Sequence, residues 1–295
     1  MAKANPTVLI AGATGYLGRH LIQAYHAAGY RVHALARRPE NLIDLDDQID
    51  RIVFGEATKP ETLKNAFSGI DQVISALGIT RQRDGLTYQD VDYQANKNLL
   101  DEAVRAGIDH FAYIHVLHAE KMPHVVMAAA KSRFARALTA SPIKSTIICP
   151  SGFYSDLSEI LDMARGGRVY LFGDGEAKIS PIDGADLANA CVTATEAGAS
   201  RIDVGGPQSL TQNEIAKTAF EVLGKKPRIT HIPLGIARFL VGIGKRLGWH
   251  QQLGPIEFFL TVSQMDMTAP HNGQITLADD FSRRISPNQD KKGEN

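Results

Sequence analysis

The chain alternates short apolar runs with longer segments whose apolar residues recur at every third or fourth position. Short apolar runs predict buried strands, and the wider spacing predicts helices packed against them. The first run, at residues 8–11, is followed by a helical pattern through residue 26. Further strands are predicted at residues 31–36, 49–54, 72–76, 109–116, 143–149, 169–172 and 201–204. This alternation favours a doubly wound α/β fold with a mainly parallel sheet.

The same pattern indicates how the chain is divided. Residues 1–150 carry the regular alternation and are expected to form one domain, completed by about residues 180–206. Residues 151–179 and 207–295 are expected to form a small, largely helical cap over a substrate cleft. From about residue 282 the chain is polar, and we expect a disordered tail.

Helices between the strands are indicated by spacing and by capping residues. Residues 88–106 and about 124–140 have helical spacing. Residues 58–61 and 211–214 each begin with Thr and end with Glu, the spacing of a capping box, so helices are predicted to begin there.

Three glycines follow the first predicted strand and open the first helix. Gly12 permits a tight turn, Gly15 allows a pyrophosphate to approach the backbone, and Gly18 lets the helix lie close to the strand. The helix start then favours a phosphate through its N–H groups and its dipole. This context predicts a dinucleotide site, the alternative being a purely structural glycine turn.

The end of the second predicted strand indicates which dinucleotide is bound. Proteins that prefer NAD carry an acidic residue at this position, where it holds the ribose hydroxyls. Here Arg37 and Arg38 occupy the position, and arginine suits a ribose 2′-phosphate. We therefore expect NADP rather than NAD, although a solvated basic loop would have the same sequence.

The glycine spacing G-x-x-G-x-x-G, with Thr14 before the middle glycine, resembles extended and atypical short-chain dehydrogenases/reductases. The segment GATGYLGRHL is similar to the branch of NmrA-like proteins, isoflavone-reductase-like enzymes and chlorophyllide vinyl reductases. The resemblance implies a Rossmann sheet that binds NAD(P)(H). The cofactor-contacting residues that it implies are Gly12, Thr14, Gly15, Tyr16, Leu17, Gly18, Arg37, Arg38, Glu56, Ala76, Leu77, Gly78, Lys131, Pro150, Gly152 and Phe153.

Catalytic residues are less clear from the same resemblance. Short-chain dehydrogenases carry Tyr-x-x-x-Lys on one helix, but Met127 stands four residues before Lys131, and His115 stands near the position of the usual serine. Lys131 is the candidate for a functional lysine, with a plain surface lysine as the alternative. Tyr154 is a candidate substitute proton donor or a packed aromatic, and His118 is a candidate substrate contact.

Composition excludes several other functions. Lys plus Arg and Asp plus Glu both number 32, so no excess charge favours nucleic acid. No membrane span, metal site or signal peptide is expected, and the two cysteines are expected to be reduced and buried in a cytoplasmic protein. The apolar segment at residues 232–267 could cover the cleft, form a homodimer face or contact a membrane surface.

Two functions remain. The first is an NADP-dependent oxidoreductase that transfers hydride to a small cyclic or conjugated organic substrate. The second is a non-catalytic NADP-binding redox sensor or assembly factor of the NmrA-like type. The missing tyrosine and serine favour the sensor, and the retained lysine favours the reductase.

Overall fold

A computed structural model describes residues 5–79, 85–246 and 250–285. The strands are β1 (Thr7–Ala11), β2 (Arg31–Ala36), β3 (Arg51–Phe54), β4 (Gln72–Ser75), β5 (His110–Ile114), β6 (Lys144–Pro150), β7 (Val169–Phe172), β8 (Lys178–Ile179), β9 (Arg201–Val204), β10 (Leu210–Thr211) and β11 (Ile229–Ile232). The α-helices are α1 (Tyr16–Ala27), α2 (Asn96–Ala106), α3 (Val126–Thr139), α4 (Ser158–Arg165), α5 (Gly184–Glu196), α6 (Gln212–Val222), α7 (Leu234–Arg246), α8 (His250–Val262) and α9 (Leu277–Ile285).

Seven strands form the central sheet in the order β3-β2-β1-β4-β5-β6-β9. Strands β1 to β6 pair in parallel, with β1 between β2 and β4. The chain therefore turns to opposite sides of β1, which creates a topological switch point at the carboxyl ends of β1 and β4. The expected doubly wound α/β fold is confirmed, because helices alternate with these parallel strands.

The chain forms two compact units. The first consists of residues 1–149 and 187–203, and it contains the central sheet. The second consists of residues 150–186 and 204–295. Its core includes Tyr154, Leu161, Phe220 and Phe281, all nearly or completely buried.

Two small sheets belong to the second unit. Strand β7 pairs in parallel with β11, and β8 pairs antiparallel with β10. The predicted strand at residues 169–172 is confirmed as β7, whereas β8, β10 and β11 were not predicted. These strands are short, and their half-exposed residues lack the apolar runs that mark a buried strand.

Three local predictions can be compared with the structure. The capping box at Thr211 is confirmed, since its hydroxyl accepts the Glu214 N–H and Glu214 accepts the Thr211 N–H. The capping box at Thr58 is wrong, because the Thr58 hydroxyl donates to Glu56 and only a short 3₁₀ turn, Pro60–Thr62, follows.

The polar tail was predicted from about residue 282, but α9 continues to Ile285. Leu277 and Phe281 of α9 are completely buried, and Arg284 pairs with the buried carboxylate of Asp280. The helix is therefore anchored by its apolar face. The rest of the predicted tail lies outside the described residues.

Close contact between α1 and the turn after β1 makes Gly18 intolerant of any side chain. A Cβ at Gly18 would lie 2.0 Å from the carbonyl oxygen of Gly12. We expect Gly18→Ala to lower the free energy of unfolding by about 1–3 kcal/mol, the usual range for overpacking.

Gly242→Ala is the matched control, since Gly242 lies inside α7 with open space around it. That change should raise the free energy of unfolding by about 0.5–1 kcal/mol through helix propensity. Denaturant unfolding of both variants measures the difference. Equal changes in the free energy of unfolding for Gly18→Ala and Gly242→Ala would contradict the close contact at Gly18.

Candidate functional site

The glycine-rich turn follows β1 and leads into α1. Gly12 has a φ of +82°, which favours glycine, and a Cβ there would lie 3.0 Å from the carbonyl carbon of Ala76. The Gly15 N–H donates to the Gly12 oxygen at 3.0 Å, and α1 begins at Tyr16 without a side-chain cap. Because Thr14 and Gly15 are also exposed, the turn leaves space and positive potential for a phosphate.

The next residues of α1 face different surroundings. The ring of Tyr16 packs edge-on against His20, with centroids 5.1 Å apart. Leu17 and Gly18 are buried on the inner face of the helix. The Leu17 side chain therefore belongs to the core, and only its backbone can reach a ligand.

Arg37 and Arg38 follow β2 and are exposed. Arg37 Nη1 lies 4.0 Å from Glu56 Oε1, and Glu56 Oε2 lies 2.7 Å from Lys59 Nζ. The hydrogen bond from Lys59 lowers the pKa of the Glu56 carboxyl below its ordinary value. The carboxyl ends of β2 and β3 thus form a basic rim around one ionised carboxylate.

The segment Ala76, Leu77 and Gly78 continues beyond β4. The Ala76 N–H donates to the Ala11 oxygen at 3.0 Å, which extends the contact of β1 with β4 to the switch point. Gly78 is exposed, and a Cβ there would lie 2.8 Å from a carboxylate oxygen of Asp92 and 2.9 Å from Lys131 Nζ. Only glycine leaves these charged groups uncovered.

Lys131 extends from α3, and two oxygens hold its ammonium. Its Nζ lies 3.2 Å from Asp92 Oδ1 and donates to the Ile114 carbonyl at 3.3 Å. Asp92 is completely buried and also accepts the Ile79 N–H at 3.3 Å, whereas the Lys131 side chain is 12% exposed. Since an ammonium has three N–H groups, one is left for a ligand within the described part of the chain.

Burial raises the pKa of Asp92, and the nearby Lys131 ammonium opposes that rise. The two effects have opposite signs because burial favours the neutral carboxyl and the positive charge favours the carboxylate. The charge state of Asp92 therefore depends on Lys131. A change to either partner should alter the other.

Asp92 lies in a π-helical turn, Gln89–Ala95, directly before α2. The Asn96 amide donates to the carbonyls of Val91 at 3.2 Å and Asp92 at 3.1 Å, and its oxygen accepts the Ser75 hydroxyl at 2.5 Å. Asn96 thus connects the end of β4 to the turn that carries Asp92. Wide turns of this kind are frequent at functional sites.

Asp92 Oδ1 has its ion pair with Lys131 but no hydrogen bond, and two further buried atoms in this region, the Tyr113 hydroxyl and His115 Nδ1, have no hydrogen-bond partner among the described residues. Their rings are stacked with centroids 5.9 Å apart, and Lys131 Nζ lies 5.3 Å from the Tyr113 centroid. Burial, followed by the positive charge of Lys131, lowers the pKa of His115 to about 3. Its imidazole is therefore neutral near pH 7, as is the Tyr113 phenol, whose pKa burial raises.

The other candidates near α3 take no part in this cluster of contacts. Met127 lies one turn before Lys131 on α3, so no phenol accompanies the lysine there. His118 has a φ of 54°, and its Nδ1 lies 3.5 Å from Glu120 Oε1. Among the described residues, no group of three or more potential ligands could hold a metal ion.

The predicted segment Pro150, Gly152 and Phe153 belongs to the second unit, together with Tyr154. Ile182 pairs with this segment, donating its N–H to the Gly152 oxygen at 2.9 Å. Tyr154 is completely buried, its hydroxyl donates to the Ile275 carbonyl at 2.9 Å, and burial raises its pKa. This geometry is typical of a packed aromatic residue.

Sequence reasoning missed Asp92 and Ser75. The signal for Asp92 was present, because it lies four residues before Asn96 on a helix with a predicted apolar face. An acidic residue next to such a face must be paired or lose its charge. Ser75 was hidden in a short buried strand, where nothing distinguishes a bonded hydroxyl from a packed one.

The first unit fits a dinucleotide by its own geometry. Side chains at Gly12, Gly18 or Gly78 would fill the spaces that this turn and the β4 end require. The helix start is uncapped, the rim is basic, and the ammonium of Lys131 retains one N–H. Phosphate, ribose and amide groups match these features.

Comparison with known proteins agrees with this fit. A family model described as NAD(P)H-binding matches residues 12–197. The divinyl chlorophyllide a 8-vinyl-reductase of Arabidopsis thaliana is 26% identical over 300 residues, covering 91% of this chain and 72% of that protein. The chain spans 62% of the length of the cucumber and maize proteins of the same name. The photosystem II assembly factor Ycf39 of Synechocystis is 28% identical, covering 82% of this chain and 75% of that protein.

Solved structures share the fold. The NADPH-dependent quinone oxidoreductase QOR2 of Escherichia coli, complexed with NADPH, has a TM-score of 0.74 at 19% identity, covering 95% of this chain and 100% of that chain. An isoflavone reductase has a TM-score of 0.73 at 19% identity with the same coverage. Within the described residues, no helix is long and apolar enough to cross a membrane.

The resemblance to atypical short-chain dehydrogenases/reductases is confirmed by these neighbours together with the family match. Since that match covers more than half of the chain, the protein belongs to the NAD(P)H-binding family.

Proposed function

We propose that the protein is an NADPH-dependent reductase that transfers hydride to a small cyclic or conjugated organic substrate. The observation that carries this proposal is the Lys131 ammonium, held by buried Asp92 and the Ile114 carbonyl beside the open position of Gly78. A charged group fixed in this way at the switch point is suited to chemistry rather than to solubility.

The chain's own residues would hold the cofactor along the carboxyl ends of the strands. The turn from Gly12 to Gly18 would bind the pyrophosphate, and Arg37 and Arg38 would bind the 2′-phosphate. By the family resemblance, Glu56 would lie near the adenine. NADPH, when bound, supplies the hydride.

Nearer the reacting end, Ala76, Leu77 and Gly78 would leave room for the nicotinamide ribose, and Lys131 would donate a hydrogen bond to it. These assignments use the small side chains at the β4 end and the remaining N–H of the ammonium.

Lys131 would also provide the proton that must accompany hydride. No tyrosine precedes it at position 127, so the ammonium itself would donate the proton or bind the developing oxyanion. Because the Lys131 side chain is slightly exposed, its amine could regain a proton from solvent after each turnover. Asp92 would act as a positioning residue that keeps the ammonium oriented.

The substrate class is supported by the names of relatives. One is named a divinyl chlorophyllide a 8-vinyl-reductase, and a structural neighbour is named a quinone oxidoreductase. Both names denote a conjugated acceptor, a vinyl-substituted ring system or a quinone. An electron-poor alkene or quinone would therefore suit a site that relies on a lysine.

A second candidate function is a non-catalytic NADP-binding sensor or assembly factor. Met127 in place of tyrosine favours it, as does the similarity to a photosystem II assembly factor. The test is NADPH oxidation with a panel of quinones, enones and vinyl-substituted aromatics. Tight NADPH binding without turnover on any of them would favour the second function.

The basic rim predicts a preference for NADPH over NADH. We expect Arg37→Ala to weaken NADPH binding about tenfold or more, because one charge-assisted hydrogen bond contributes about 1.5–3 kcal/mol. NADH binding should change little. Arg51→Ala, an exposed arginine at the opposite end of β3, is the control. Calorimetric titrations that give equal losses for both cofactors would overturn this assignment.

The Lys131 ammonium predicts a loss of turnover when its charge is removed. Lys131→Met keeps most of the apolar stem, and we expect kcat to fall about 100-fold or more. Lys97→Met, which breaks a surface ion pair with Asp101 on α2, should leave kcat unchanged. The measurement is steady-state NADPH oxidation with an active substrate. An unchanged kcat in the Lys131 variant would remove the lysine from the chemistry.

The raised pKa of Asp92 predicts that kcat/KM depends on pH. Burial raises the pKa of Asp92 above the ordinary value of about 4 for aspartate. We therefore expect kcat/KM to fall as the pH decreases through this raised pKa. In Asp92→Asn the activity should be lower at neutral pH and this acidic limb should disappear.

The stability effect of Asp92 has the opposite sign. A raised pKa means that the folded protein binds the proton more tightly than the unfolded chain. Wild-type stability relative to Asp92→Asn should therefore decrease as the pH rises through the raised pKa. For the activity, an acidic limb of kcat/KM that persists in Asp92→Asn would assign the titration to another group.

A further inference from the structure

The second unit contains a cavity of about 260 Å³ whose lining includes neither Lys131 nor any of the predicted cofactor-contacting residues. Apolar side chains from several helices and strands form the wall. They include Ile160 and Met163 of α4, Leu171 of β7, Ile179 of β8, Ile215 of α6, and Phe259 and Val262 of α8.

The cavity wall offers little to a charged ligand. The Ser263 hydroxyl in the wall is already engaged, since it donates to the Leu260 carbonyl of α8 at 3.0 Å. The charged lining residues are Asp156, Glu159 and Lys178, two acids and one base. An anionic group would meet mainly apolar walls and two acids for one base, so its desolvation would be compensated poorly.

The cavity is open at the surface, where large apolar residues are exposed. Tyr170 and Ile256 line it and are 49% and 39% exposed. Ala177 lies in the wall with a single methyl group, which leaves the space beside it unfilled. A ligand that covers these groups removes apolar surface from water.

The volume limits the size of the ligand. An apolar cavity of about 150 Å³ holds benzene, so about 260 Å³ accommodates a fused bicyclic system. We propose that this cavity is a binding site for a neutral, apolar molecule of about two fused aromatic rings. Any third ring or polar end of the ligand lies at the open mouth beside Tyr170 and Ile256.

The test is fluorescence titration of the full chain, without cofactor, with N-phenyl-1-naphthylamine. Its anionic analogue, 1-anilinonaphthalene-8-sulfonate, has the same rings and an added sulfonate. We expect saturable binding of the neutral probe at one site per chain, and binding of the anionic probe about tenfold weaker or more, because its charge must be desolvated.

Two variants fill the cavity, Ala177→Leu and Val262→Phe. Each should weaken binding of the neutral probe about tenfold or more, since the added side chain occupies the same space. Ala278→Leu is the matched control, because Ala278 is also half-buried in the second unit but lies outside the cavity wall. It should bind like the wild type.

Naphthalene provides a measurement that requires no variant. It should raise the melting temperature of the wild-type chain, as does any ligand that binds only the folded state. Non-saturable binding, equal affinity for the two probes, or wild-type affinity in a filled variant that melts normally would overturn the proposal. None of these outcomes depends on turnover, so a failure here is distinct from a failure of the proposed reductase function.

Discussion

The site depends on the close approach of backbone segments at the carboxyl ends of β1 and β4. A Cβ at Gly18 would overlap the Gly12 carbonyl, and Gly12, with a φ of +82°, lies close against Ala76. This contact brings the start of α1 to the switch point of the sheet. A phosphate can reach the helix N-terminus only because no side chain covers the turn.

The same edge of the sheet determines where the charged pair lies. Strand β4 ends at Ser75, whose hydroxyl bonds to Asn96, and Asn96 braces the turn that carries Asp92. Lys131 reaches this carboxylate from α3. Contacts from β4 and α2 therefore position the turn that carries Asp92, and α3 brings Lys131 to it.

Much of the fold could be predicted because its signals are local. The run at β1, the glycine turn and the start of α1 are adjacent in sequence, and each follows from residue type and spacing. The partners of Lys131 could not be predicted in this way, because Asp92 and Ile114 approach it only after the sheet has formed. The Thr58 capping box failed since Glu56 competes for the hydroxyl, a contact that the spacing rule ignores.

A buried ion pair is weak evidence for stability, because removing two charges from water costs about as much as their attraction returns. Replacing a buried ion pair by apolar residues of similar size is often neutral for stability. The presence of Asp92 and Lys131 beside an exposed glycine is better explained by a need for a fixed positive charge. With methionine at position 127, no phenol stands one helical turn before that charge, and Asp92 is the carboxylate that the described residues place beside it. A sensor requires only that the cofactor binds, whereas a reductase requires an oriented charge at the reacting atoms, and the bracing of Asp92 by Asn96 is therefore an argument for the reductase.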